Sequence, residues 1–213
     1  MIFGNKNGNK ILIHKKDGQV CEVSHIRGLN VRFKGKNSTI EIWEPFCFRR
    51  RFGELRCKIR VAGDNNYIKI DTGLDVLSLQ IIHIKDNNKI TIGKNFFSSG
   101  LVKVDFAAES NLEFSIGNDC MFGQNIKFML GDNHRIYDIN TNEQLNASKR
   151  GIKIGNHVWL ARNVVMLKDT SIADNSVVAY GSLVTKNFLK ENILIGGYPA
   201  KELKENINWE KLR

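Results

Sequence analysis

A six-residue beat runs through this chain and stops at a histidine. Apolar residues recur at Ile154, Leu160, Met166, Ile172, Val178 and Val184. Four places after each stand Val158, Val164, Thr170, Ser176, Ser182 and Phe188, most of them small or β-branched. The same beat runs upstream through Ile92, Ser98, Val104, Ser110, Ile116, Phe122 and Phe128, with Phe96, Val102, Ala108, Phe114, Cys120 and Ile126 as fourth-place partners. Tiny residues often follow the anchors, as at Gly155, Ala161, Ala173 and Ala179. A period of six fits neither the helical repeat nor simple strand alternation. A β-sandwich has no reason to keep it, whereas a parallel β-helix does. The expected coil has three short strands and about eighteen residues, anchors pointing inward, and turns at Asn156, Asn163, Asn175 and Gly181. Between the two blocks the beat breaks at Asp132-Asn133-His134. A loop expelled there, over 131–153, is where chemistry is expected.

The first 91 residues are less regular. Segments such as Lys10–His14, Ser38–Trp43 and Leu77–Ile81 read as strands between Asn/Gly/Lys turns. They are taken as looser coils of the same prism, with a small separate subdomain as the alternative. Glu44–Arg51, with Pro45 and clustered arginines, reads as a protruding loop. The regular repeat covers 92–190. In 191–213, Pro199 precedes Leu203 and Ile207 at i,i+4 spacing, which predicts a short C-terminal α-helix capping the last coils.

Among the 213 residues, 32 Lys+Arg stand against 22 Asp+Glu, a formal charge of +10. This favours anionic partners such as phosphates or acidic glycans. The basic residues are dispersed with no aromatic interleaving, which argues against nucleic acid. Cys21, Cys47, Cys57 and Cys120 form no CxxC pair, and the start is no secretory signal, so a reduced cytoplasmic protein without a membrane span is expected. A metal is not expected: zinc wants several histidines at matched spacing, and His134 and His157 stand apart.

Taken together, the repeats, the interrupted histidine loop, Val158-Trp159-Leu160-Ala161 and Gly197-Tyr198-Pro199-Ala200-Lys201 resemble the left-handed β-helix acyltransferases of the hexapeptide-repeat family. The chain is most similar there to O-acetyltransferases of bacterial surface polysaccharides, including the sialic-acid capsule enzymes. The resemblance implies an all-β, left-handed parallel β-helix, acetyl-CoA as co-substrate, and a homotrimer with sites between subunits. It implies His134 as general base on an acceptor hydroxyl, with Asp138, Asp132 or Asn133 as the orienting partner. Trp159 then stands beside the thioester, as oxyanion donor or as wall of the pantetheine tunnel. The implied cofactor contacts are Trp159, Ala161, Ala179, Thr185, Lys186, Pro199, Ala200, Lys201 and Lys204. Ala161 stands where many relatives have Gly, and Tyr180 replaces a small residue, so the tunnel width differs from theirs. Loop residues Arg135, Tyr137, Lys149 and Arg150 lie near His134 in sequence and suit an acidic sugar such as sialic acid, in a capsule or lipooligosaccharide. Two other readings fit the same residues: an N-acetyltransferase on an amino sugar or antibiotic, and a non-catalytic β-helix module.

Overall fold

The computed structural model describes residues 2–3, 7–49 and 57–211, and these wind into a three-faced parallel β-helix. One face stacks Lys10–His14, Thr39–Trp43, Tyr67–Ile70, Lys89–Ile92, Glu113–Ile116, Gly151–Ile154 and Ser171–Ile172 in parallel. A second face runs from Phe46–Phe48 through the first halves of Leu74–Ile84 and Phe97–Asp105 to Met121–Phe122, Trp159–Leu160, Val177–Val178 and Leu194–Gly197. The third carries Leu29–Phe33, Cys57–Val61, the second halves of those long strands, then Ile126–Met129, Val165–Leu167 and Leu183–Val184.

Parallel register places like on like, so the hexapeptide anchors and fourth-place partners become one continuous interior. Ile92, Ile116, Phe122, Phe128, Ile154, Leu160, Met166, Ile172, Val178 and Val184 are all buried, as are Phe96, Val102, Phe114, Cys120, Ile126, Val158 and Val164. The rings of Phe96 and Phe122 meet edge to face at 4.8 Å, and Phe114 meets Phe128 at 5.0 Å. Thr170, Ser176 and Ser182 are buried too, each hydroxyl donating to a backbone carbonyl two or three residues back.

Left-handed backbone turns the chain at each corner, and asparagine supplies most of it. Asn37, Asn65, Asn87, Asn111 and Asp169 mark the corner entering the first face. Asn95, Asp119, His157, Asn175 and Asn192 mark the corner leaving it, and Asn125, Asn163 and Gly181 the corner between the second and third faces. Side-chain bonds tie successive corners together, Asn95 Nδ2 to Asp119 Oδ1 and Asn125 Nδ2 to Asn163 Oδ1, both at 2.8 Å. Asn163, Asn175 and Gly181 fill the expected role; at 156–157 the left-handed residue is His157, not Asn156.

The coil length departs from the expected eighteen. Lys153 does pair with Ser171, eighteen residues on. Lys89 instead pairs with Glu113, twenty-four on, and Glu113 with Gly151, thirty-eight on. The twenty-four-residue coil widens its corner after Asp105, where Ala107 and Ala108 take positive φ. Phe106 and Leu112 are buried there, while Ala108 is exposed and Ser110 only half-buried. The thirty-eight-residue coil carries the extruded loop, which ends at Arg150, because Gly151–Ile154 is already strand.

Two further readings are corrected. No helix occurs among the described residues. The expected C-terminal helix is instead the strand Ala200–Lys204, antiparallel to Leu194–Gly197, with Tyr198 and Pro199 in the turn between them. The end of the stack presents unpaired backbone groups that a strand satisfies and a helix cannot. In the supposed loop Glu44–Arg51, Phe46–Phe48 is a strand on Leu74–Val76, and Arg50 and Arg51 lie outside the described residues.

The loop is folded and anchored at its base. Lys168, just beyond Val165–Leu167, donates through Nζ to Asp132 Oδ2 and to Asn146 O. Asn146 Nδ2 donates to Asp132 Oδ2 at 2.9 Å and to His134 O at 2.8 Å. Burial pushes the Asp132 carboxyl up, but the bonds from Lys168 and Asn146 and the lysine charge outweigh it and hold it below its ordinary value.

Two outcomes follow from this packing. Phe122→Ala removes a ring packed between Phe96 and Phe128 and is expected to cost about 3–5 kcal/mol in urea unfolding. Lys168→Met is expected to leave the melting temperature within a few degrees while amide exchange over 132–146 accelerates. Because Asp132 is lowered, the wild-type anchor is complete above about pH 4 and fades as pH falls through that lowered value, so the difference in exchange between wild type and variant should vanish in acid.

Candidate active site

The corner where the third face meets the first holds His134. Its loop leaves the stack after Leu130, whose amide donates to Asp105 O at 2.8 Å. The imidazole is exposed, with no hydrogen-bond partner among the described residues. Asp138, expected as an orienting acid, caps its own turn: Oδ1 accepts the amides of Asn140 at 2.8 Å and Thr141 at 2.9 Å, and these bonds hold the carboxyl below its usual range. Asp132 is committed to Lys168 and Asn146. Asn133 takes positive φ at the bend. Within one chain, none of the three candidates reaches the His134 ring.

Around His134 the loop displays the residues expected to meet an acceptor. The Arg135 guanidinium donates to the Asn142 backbone and side-chain oxygens and lies 5.0 Å from the Tyr137 ring centre. Tyr137 is exposed beside Ile136, Ile139 and Leu145. Lys149 and Arg150 close the loop, their amides held by Asp169. The sequence reading gave no role to His83, which sits at this same corner with Nδ1 2.8 Å from Asp105 Oδ1. Asp105 is buried and also pairs with Lys103 at 3.0 Å. A positive-φ histidine one coil from its partner acid leaves no local sequence signal.

The second face carries Trp159. It follows inward Val158, so its ring stands outward, in register with Met121 above and Val177 below. Its indole N–H makes no hydrogen bond among the described residues. A cavity of about 350 Å³ opens here, lined by Phe97, Met121, Gly123, Trp159, Ala161 and Tyr180. Gly123 and Ala161 belong to a column of tiny residues that continues in register beyond the cavity through Ala179 and Gly196. A Cβ on Gly123 would meet the Ala161 backbone at 3.0 Å, and one on Gly196 would meet the Leu203 side chain at 2.7 Å. Ala161 and Ala179 were legible from the beat; Gly123 holds the same place after Phe122 and completes it. A smaller cavity of about 280 Å³ shares Phe97 and Met121 and reaches Trp209 and Lys211. Trp209 stacks on His157 at 4.3 Å, donates Nε1 to His157 O at 2.8 Å, and lies 6.1 Å from the Trp159 ring. Its pairing with a coil fifty-two residues away left no sequence pattern to find.

The remaining expected cofactor residues divide between two places. Pro199 lies in the turn beside the small-residue column and Ala200 opens the strand after it, where Gly197 N donates to Ser182 Oγ. Lys201 and Lys204 are exposed on the following strand rather than on the expected helix. Thr185 and Lys186 follow Leu183–Val184, beneath Leu167 and Lys168, at the corner of the His134 loop. One face, about six residues or roughly 20 Å of extended chain, therefore separates the base of that loop from the Trp159 cavity. Among the described residues, no cluster of His, Cys, Asp and Glu could hold a metal, the four cysteines are free thiols, and no helix is long and apolar enough to cross a membrane.

Comparison with known proteins fixes the family. No family model matches the chain. The polysialic acid O-acetyltransferase of Neisseria meningitidis is 34% identical over 171 residues, 71% of this chain and 79% of the relative. The galactoside O-acetyltransferase of Escherichia coli K12 is 27% identical over 125 residues, 58% of each chain. The crystal structure of the polySia specific acetyltransferase NeuO superposes with a TM-score of 0.76 at 26% identity, over 100% of this chain and 87% of that one. That of the polysialic acid O-acetyltransferase OatWY, at 24% identity and a TM-score of 0.67, covers 100% and 88% and shares the fold. This chain belongs to the same family as the polysialic acid O-acetyltransferases, the hexapeptide-repeat O-acetyltransferases, and is an acyltransferase.

Proposed function

We propose that the chain transfers acetyl from acetyl-CoA to a hydroxyl of an acidic bacterial surface glycan, a sialic acid polymer, with His134 as general base. The relative of Neisseria meningitidis, covered over 79% of its length, carries this reading. The geometry supports it. An exposed imidazole on an anchored loop is free to take a hydroxyl proton. The hydroxyl oxygen attacks the thioester carbonyl, the C–S bond breaks, and the departing thiolate takes the proton back from His134. Negative charge on the former carbonyl oxygen needs a preorganised donor, and the Trp159 N–H has no competing bond among the described residues. Gly123, Ala161, Ala179 and Gly196 give a pantetheine arm a smooth wall, and Tyr180, 70% exposed, narrows its mouth. Pro199, Ala200, Lys201 and Lys204 receive the adenine and phosphate end, and Thr185 and Lys186 add cationic and hydrogen-bonding contacts from the other corner. Arg135, Tyr137 and Lys149 face the acceptor, where a guanidinium pairs a sugar carboxylate.

The separation of the His134 corner from the Trp159 face calls for more than one copy. Three chains in a closed ring bring the loop of one against the cavity of the next. The exposed apolar residues Ile136, Tyr137, Ile139 and Leu145 are the part of the loop that such a neighbour covers, and His134 gains its orienting acid there or from a rearranged Asp138. The coil is left-handed, as in the family, and the described residues of 1–91, 92–190 and 191–213 are parts of one prism rather than separate bodies. The enzyme works on the cytoplasmic side, where its thiols stay reduced.

Thiol release from acetyl-CoA in the presence of sialylated, other acidic and neutral glycans tests the reading. His134→Ala is expected to lower kcat about 10³-fold with acetyl-CoA affinity retained. Near-normal turnover would remove His134 from the chemistry, and no release with any glycan would remove the transferase. Trp159→Phe separates its two roles. A fall of about 10²-fold in kcat at unchanged acetyl-CoA affinity identifies the donor, whereas lost affinity identifies a tunnel wall.

A further inference from the structure

Another cavity lies away from Trp159, on the outer side of the first face. It encloses about 580 Å³ and is lined by Lys89, Lys149, Arg150, Lys153, Asn187 and Leu189 among others. Its floor crosses five rungs, Lys89–Ile92, Glu113–Ile116, Gly151–Ile154, Ser171–Ile172 and the bridge of Ile172 to Phe188. At strand spacing this is roughly 19 Å, longer than one sugar ring. The charge is net positive, with Lys89, Lys149, Arg150 and Lys153 against Glu113 and Asp169. Lys89 is paired with Glu113 at 3.2 Å, and the acid at the rim, Asp169, is occupied by the amides of Lys149, Arg150 and Gly151. Lys149, Arg150 and Lys153 carry no ion pair among the described residues. Asn87 and Asn111, joined at 3.2 Å, line one edge with amides suited to hydroxyls, and Leu189, 77% exposed, offers an apolar surface to a sugar's C–H face. The trough opens at the corner from which the His134 loop leaves, because Lys149 and Arg150 end that loop.

We infer that this trough is a second glycan-binding site. It holds several acidic sugars of the acceptor chain while another residue of the same chain is acetylated at His134. The inference rests on the acidic-glycan reading above and deepens it by placing where the stretch of polymer not being acetylated is held. Carboxylates spaced along the polymer meet Lys149, Arg150 and Lys153, and an electrostatic contact of this kind weakens as salt screens it.

The test compares Lys153→Glu with Lys127→Glu, an equal charge change on the exposed side of the third face, outside the trough. Binding of long sialic acid polymer and of neutral dextran is measured by calorimetry on each protein, independently of turnover. KM and kcat are measured with a sialic acid disaccharide and with the long polymer. Lys153→Glu is expected to weaken polymer binding about ten-fold and to raise KM for the polymer alike, with the disaccharide KM, the acetyl-CoA KM and kcat unchanged. Dextran should not bind, and raising the salt should erase the difference. Equal behaviour of the two variants overturns the trough, as does equal loss with short and long acceptors or the absence of polymer binding in wild type. If the polymer binds through Lys153 but nothing is acetylated, the trough stands and the transferase reading falls.

Discussion

Each coil of this protein covers the apolar edge of the coil before it, and in-register parallel pairing makes that possible. Pairing Phe122 with Leu160 and Leu160 with Val178 puts every anchor above another, so a short two-residue strand suffices where an isolated one would not hold. Everything else hangs from this column. Its corners can be made of asparagine in left-handed backbone because each corner is repeated and bonded to the next. Its outer faces are free to vary, since one residue in two points away from the interior.

That freedom is where function sits. A coil can lengthen at a corner without disturbing the faces, as it does after Asp105 and far more after Leu130. The excursion after Leu130 carries His134, and the Asp132–Lys168–Asn146 cluster closes its base so that twenty extra residues enter and leave the stack at one place. The same stacking that buries anchors aligns the residues after them. Gly123, Ala161, Ala179 and Gly196 thus form a wall that no single coil could provide, and Phe97, Met121 and Trp159 form the apolar ladder beside it.

Within one chain the chemistry is divided. His134, the proposed base, stands at one corner and the tryptophan cavity on the neighbouring face, with Thr185 and Lys186 grouped with the first, and Ala161, Ala179 and the Pro199 turn with the second. A prism of small cross-section cannot fold back on itself to join them. The proposed neighbouring copy would join them, and the loop leaves Ile136, Tyr137, Ile139 and Leu145 exposed at that corner.

The sequence alone determined the parallel β-helix, its inward residues and the position of the break, because a period of six at Ile154–Val184 and Ile92–Phe128 is a direct record of which side chains face the axis. It also pointed to Ala161 and Ala179, which hold a fixed place in the repeat. Tertiary structure decided what periodicity cannot record. The coil lengths depend on where a corner widens, and Phe106 and Leu112 take inward places that Ala108 and Ser110 were expected to hold. The C-terminal segment is a strand because the open end of the stack offers backbone partners to Ala200–Lys204, a demand that outweighs the helical spacing of Leu203 and Ile207. The pairs His83–Asp105, Lys168–Asp132 and Trp209–His157 each join residues one or more coils apart, so no local pattern announces them. The trough beside Lys153 is assembled from single residues of five rungs, and only their stacking brings the charges together.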